Sequence, residues 1–199
     1  AYSAILSGSS NGMLDSRASV VYGGRFNVIN DTFCAHIGAG YMNYVSAGRS
    51  AIIIGEFHSL PGTGNASMIG AGKYNSITDG MSSGIFIGYD NNITTGINSV
   101  IVSGSYNILM DSVDSIVAAG NNNTVTTTEA CFIGSGELNV ISESVNSAIL
   151  VGSNNNLASV TNAVIVAGTL NSIDTASNTF IGSGRNNGIY AISVESAIV

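Results

Sequence analysis

The residues of this 199-residue chain that could do chemistry are few: two histidines, His36 and His58, two cysteines, Cys34 and Cys131, and scattered acidic side chains. A histidine acting as general base needs a nucleophile and an orienting carboxylate, and neither histidine sits in a recognisable signature such as G-x-S-x-G. No pair of Cys or His residues has zinc-ligand spacing. Asp15 and Asp31 stand sixteen residues apart and could share a hard cation, but their column continues through Thr, Ala and Ser, so it reads as solvated turn residues. Neither a reaction centre nor a cofactor is expected.

The elements that would position these residues follow from one period. Counting by sixteen from Ile5 gives Val21, Ile37, Ile53, Ile69, Ile85, Ile101, Val117, Ile133, Ile149, Ile165 and Ile181, all Ile or Val. Three residues after each stands Gly, from Gly8 to Gly184, except at Glu56. Three further on comes an Asn column: Asn11, Asn27, Asn43, Asn75, Asn91, Asn107, Asn123, Asn139, Asn155, Asn171 and Asn187, broken only at Ser59. A second aliphatic column, Met13 to Ile189, is broken only at Pro61.

The aliphatic columns lie eight residues apart and are mostly β-branched, which describes two strands per coil and not helices, whose apolar positions recur at three and four. The expectation is an all-β parallel β-solenoid, a flat two-sided β-roll of about twelve sixteen-residue coils forming a single repeat domain over residues 1–199. Stacked inward Asn side chains can hydrogen-bond from coil to coil, so their column reads as structural. The Gly column marks a backbone conformation that a Cβ would disturb; a phosphate-cradling loop would need the Lys and hydroxyl that G-x-x-N lacks.

The first strand is apolar on its outward side as well: Val20, Ile52, Ile54, Phe86, Val100, Val102, Phe132, Val166 and Phe180 fall there, with His36 among them. A strand apolar on both faces is normally covered on both, so this side is expected to face other copies of the chain, as a parallel homotrimer. The outward column of the second strand is mostly polar, as in Asn30, Thr78, Thr94 and Thr126, and is expected to face water.

One coil breaks three of the four columns at once, with Glu56, Ser59 and Pro61 standing where Gly, Asn and an aliphatic residue belong. Sliding the register by one residue places Gly55, His58 and Leu60 in those columns, which predicts a bulge or short loop. Glu56, His58 and Pro61 mark this coil as irregular.

Composition bounds the partners. Charged residues make up 9% and hydrophobic residues 45%, which excludes a charge-driven disordered chain. A net charge of -7 with only five scattered Lys and Arg disfavours nucleic acid and anionic membrane surfaces, and no apolar run is long enough for a membrane helix. Cys34 and Cys131 lie about six coils apart, ~29 Å at strand spacing, too far for a disulfide within one chain. The N-x-S/T triplets at Asn30, Asn65, Asn92 and Asn122 follow from abundant Asn, Ser and Thr and say little about glycosylation.

The unit S-x-I-x-x-G-x-x-N-x-I, with its I-G-x-G variant at Ile37–Gly40, Ile69–Gly72, Ile133–Gly136 and Ile181–Gly184, resembles repeats of bacteriophage tail-fibre shafts and of trimeric autotransporter adhesin heads. The resemblance covers the whole chain and implies a parallel trimer. The sixteen-residue repeat and the Asn column depart from the adhesin heads and lean toward a fibre shaft. The implied function is a structural fibre segment supporting host attachment, extracellular and on a virion appendage, a section of a longer chain, with a host surface glycan or receptor as a further partner. The alternative is an adhesin on a bacterial surface. Ice binding is more remote, because Thr94 with Thr95 and Thr126 with Thr127 do not continue into a regular array.

Overall fold

A computed structural model describes residues 2–190 and 194–199. Where the repeat alone draws no boundary, the chain groups into two compact units, Ala1–Asn98 and Ser99–Val199. Each is an all-β parallel solenoid, and no helix occurs among the described residues.

In the first unit one sheet takes Ala4–Ile5, Val20–Val21, His36–Tyr41, Ala51–Glu56, Met68–Lys73 and Gly84–Tyr89; the other takes Gly12–Leu14, Val28–Asn30, Tyr44–Val45, Ser59–Leu60, Ser76–Thr78 and Asn92–Thr94. The second unit repeats the plan, with Phe132–Glu137 and Ala148–Ser153 in its first sheet and Val140–Ser142 and Asn156–Ala158 in its second. Like pairs with like across sixteen residues, as in Ile69 with Ile85 and Ile141 with Leu157.

The core of a coil is thin. One fully buried aliphatic comes from each sheet, such as Ile69 with Ile77 or Ile133 with Ile141. The remaining inward positions are Asn and small residues, among them Ser67, Ser83, Ser115 and Cys131. Coils this thin cannot fold singly; each buries its two aliphatics against the coils above and below.

Corners take left-handed backbone conformations at recurring positions. Asp15, Asp31, Asp79, Asp111 and Glu143 occupy one such corner, with φ between 45° and 51°. Asp tolerates this region better than most residues, which is why acidic side chains recur there. In the Gly column Gly72 has φ +115°, and a Cβ on it would strike the carbonyl oxygen of Gly88 in the next coil.

The irregular coil corrects one assignment. Ile37 pairs with Ile52, not Ile53, and Ile52 pairs onward with Ile69. Ile52, placed on the outward side by counting, is completely buried, whereas Ile53 is 50% exposed. The physical cause lies one turn upstream. Val45 matches Ile29 in the neighbouring coil, but the following turn, Ser46–Ala47, lacks the left-handed residue that Asp31 supplies there. The turn at Pro61–Thr63 is correspondingly long and uses Gly62 at φ +94°. Between these turns every residue fills the column its number suggests for its neighbour: Gly55 pairs with Gly40 and Leu60 with Val45. The strand itself carries no bulge; the length change sits in two turns.

Candidate functional site

The most organised polar feature is the Asn column, whose side chains are buried from Asn27 to Asn171. At Asn27 the amide spends its full capacity. Asn27 Nδ2 donates to Asn11 Oδ1 at 3.2 Å and to the carbonyl of Gly40 at 2.9 Å, while the Asn27 backbone N–H also donates to Asn11 Oδ1 at 3.0 Å. In the second unit Asn139 does the same toward Asn123 Oδ1 and the Gly152 carbonyl. Gly in the preceding column makes room for this: the amide nitrogen of Asn139 lies close to where a Cβ on Gly136 would stand. An amide saturated in this way has nothing left to offer a ligand.

A second ladder runs along the small-residue corner. Ser67 Oγ donates to the Gly80 carbonyl at 2.9 Å and accepts the Ser83 backbone N–H at 3.3 Å. Ser115 Oγ accepts the backbone N–H of Cys131 at 3.2 Å. The recurrence of Ser at sixteen-residue steps was the available signal for it.

His58 takes the Asn position of the irregular coil and is buried. Its backbone N–H donates to Asn43 Oδ1 at 3.0 Å, and its Nδ1 accepts the Asn75 backbone N–H at 3.2 Å. Nε2 is buried without a hydrogen-bond partner. Burial pushes the imidazole below its ordinary pKa, against the opposing influence of backbone groups of Asn75, Ile54 and Gly72. The ring therefore stands in for an amide, accepting from the next coil through Nδ1, with fewer bonds made.

Beside it, an aromatic file follows one corner of the first unit. Phe26, Tyr41, Phe57, Tyr74 and Tyr89 succeed one another at centroid distances of 5.8, 5.4, 4.9 and 5.6 Å. Arg25 lies 4.7 Å from the Phe26 centroid, and Lys73 lies 5.4 and 5.2 Å from Phe57 and Tyr74. Lys73 Nζ also meets Glu56 Oε2 at 3.0 Å, a hydrogen bond that raises the lysine pKa. Phe26, Phe57 and Tyr74 have φ of 56°, 56° and 59°, in a corner that Tyr106, Asn122, Leu138, Asn154, Leu170 and Asn186 occupy in the second unit. Bulky side chains are rare at such φ, while Asn tolerates it.

The outward side of the first sheet leaves large apolar side chains in water. In the first unit these are Ile53, Ile54, Phe86 and Ile87, each 46–55% exposed. In the second they include Val102, Ile116, Leu150, Val151 and Phe180. Val20, Val100, Phe132 and Val166 on that side are half-buried.

The residues considered first for chemistry are not brought together. His36 and Cys34 are exposed, and both cysteines are free. Cys131 is buried, which pushes its thiol pKa up and leaves it inert. Asp15 and Asp31 line an open groove of about 940 Å³ together with Arg17 and Phe33. Among the described residues no three His, Cys, Asp or Glu side chains gather as a metal set.

No protein-family model and no curated protein matches the sequence. Among solved structures the chain is similar to an Arabidopsis UDP-N-acetylglucosamine acyltransferase, at 13% identity over 90% of this chain and 70% of that one, with a TM-score of 0.30. It is also similar to a protein assigned as an acetyltransferase from Desulfovibrio desulfuricans G20, at 8% identity over 85% and 59% of the two chains, with a TM-score of 0.23. Likenesses this distant carry no argument about what this chain does.

Proposed function

We propose that the chain is a structural segment of an extracellular fibre, the shaft of a phage or virus appendage that supports host attachment, with the outward side of its first sheet packed against other copies in a parallel homotrimer. The observation that carries this reading is the exposed apolar set on that side, exemplified by Ile53, Ile54, Phe86 and Ile87. Apolar patches of this kind mark association surfaces. On this reading the protein has no catalytic step; its work is mechanical, since each coil transmits load through two parallel ladders and a chain of saturated amides. Light scattering on the purified chain at tens of micromolar tests it. A trimer that Ile53→Asp with Phe86→Asp converts to monomer is the expected result, and a wild-type chain that is monomeric removes the reading.

The aromatic file favours a second reading, a surface adhesin that binds a host or surface ligand through that corner. Ten of the fourteen Phe and Tyr residues and four of the five Lys and Arg residues lie in residues 1–98, so rings and cations are concentrated in one unit. Binding to a glycan array that is lost in Tyr41→Ala with Tyr89→Ala supports the adhesin. No wild-type signal on the array removes it.

A further inference from the structure

We infer that the coil from Ala51 to Gly64 is an acid-sensitive opening point, at which protonation of His58 breaks the buried ladder beneath the exposed pair Ile53 and Ile54. The argument begins with hydrogen-bond inventory. At an ordinary step Asn Oδ1 accepts two N–H groups from the next coil, one from the backbone and one from the side chain, as Asn27 does for Asn43. At the irregular step Asn43 Oδ1 accepts only the His58 backbone N–H, and His58 Nδ1 accepts only that of Asn75. The Asn75 side chain keeps the two carbonyl bonds that Asn27 also makes, here to Ala71 and Gly88 at 3.3 and 2.8 Å, and makes none back along the ladder. This is the thinnest link of the ladder in the first unit.

The geometry fixes the ring's protonation. Because Nδ1 accepts the Asn75 N–H, the neutral imidazole carries its proton on Nε2. A second proton taken from solvent must go to Nδ1, where it faces the Asn75 N–H. Two donors then point at one another, and an imidazolium is left buried with no carboxylate beside it. The groups packed around the ring are the Asn43 and Asn75 amides and the backbone of Ile54, Gly55 and Gly72. Burial and backbone groups alone set its titration; no charged side chain contributes. The neighbouring charges, Glu56 and Lys73, pair with each other on the exposed corner. Gly55 makes room for the ring, since a Cβ there would collide with Nε2.

The sign follows from linkage. The folded pKa lies below the ordinary 6.5, so above pH 6.5 both folded and unfolded chains hold neutral His58 and stability does not change with pH. Below that value the unfolded chain takes up the proton and the folded ladder refuses it. The opening equilibrium then grows by up to about tenfold per pH unit until the folded pKa is passed. The opened coil is the one that carries Ile53 and Ile54, so acid would withdraw that apolar pair from its fixed position. The inference needs no association between copies and holds for the isolated chain.

Two measurements test it. Hydrogen exchange at the Asn75 amide, taken as the ratio between wild type and His58→Asn at the same pH, cancels the intrinsic pH dependence of exchange. The ratio is expected to rise as the pH is lowered from 7.5 to 5.5, and to be unaffected when His36→Asn is introduced into both chains. Histidine nitrogen NMR on the unaltered protein gives the second readout: an Nε2–H tautomer at neutral pH, with His58 titrating below 6.5. A constant exchange ratio, or a His58 that titrates at its ordinary value with Asn75 undisturbed, overturns the inference.

Discussion

An asparagine amide can give two hydrogen bonds and take two, and Asn123 Oδ1 takes both of its bonds from Asn139. Replacing Asn139 with Leu keeps the volume and removes the chemistry. The Asn123 oxygen and the Gly152 carbonyl lose the Nδ2 donor, and the Asn155 N–H groups lose their acceptor. Since each buried polar group left unpaired costs about 1–3 kcal/mol, the variant should lose about 3 kcal/mol or more, read as a lower denaturation midpoint. This column was legible in the sequence because one residue type is the only good solution at that place. The serine ladder was harder to read, because Ala35, Cys131 and Ala163 also fit the site and blur the pattern into mere smallness. Ile52 was misread for a different reason: three consecutive isoleucines, Ile52 to Ile54, offer any register an aliphatic residue, so hydrophobicity could not choose among them. The glycine one residue on, Gly55, does choose.

At the level of strands and turns, the solenoid depends on corners more than on strands, several of which are only two residues long. Gly136 has φ +119°, and a methyl group there would press on the Gly152 carbonyl and crowd the Asn139 amide. Gly136→Ala should therefore cost at least about 2 kcal/mol, since a strained backbone position alone accounts for 1–3. Thermal melting beside Gly84→Ala, where added atoms meet only ordinary contacts, separates the strain from the loss of a glycine as such. Strand positions were readable from alternation and β-branching. Turn length was not, because a turn that drops or gains a residue still joins the same two strands, and nothing in local composition at Ser46–Ala47 records the loss.

For each unit as a whole, stability is close to a sum over coils and their nearest-neighbour contacts, because pairing runs from each coil to the next. Removing residues 149–164 takes out one complete coil and sets Ala148 before Ile165, so both ladders rejoin in register. That variant should keep its β circular-dichroism spectrum and melt cooperatively. Removing residues 149–156, half a coil, should not, since it would bring the second strand of one coil against the first of the next. The parallel all-β architecture could be read in advance from the period. The outward apolar side was legible from the same period, but a repeat records what each coil meets inside its own chain and is silent about a neighbour.

The long turn at Pro61–Thr63 has a practical consequence. It restores the residue dropped at Ser46–Ala47, so the pairing step changes from fifteen residues between Val45 and Leu60 to seventeen between Ser59 and Ser76. Gly62 and Thr63 are exposed, and Thr63 is tied down by Asp79, to which its backbone N–H donates at 2.8 Å. A peptide grafted between Pro61 and Gly62 would leave this anchor in place and stand clear of the scaffold, displayed once per chain at a defined height along the first unit.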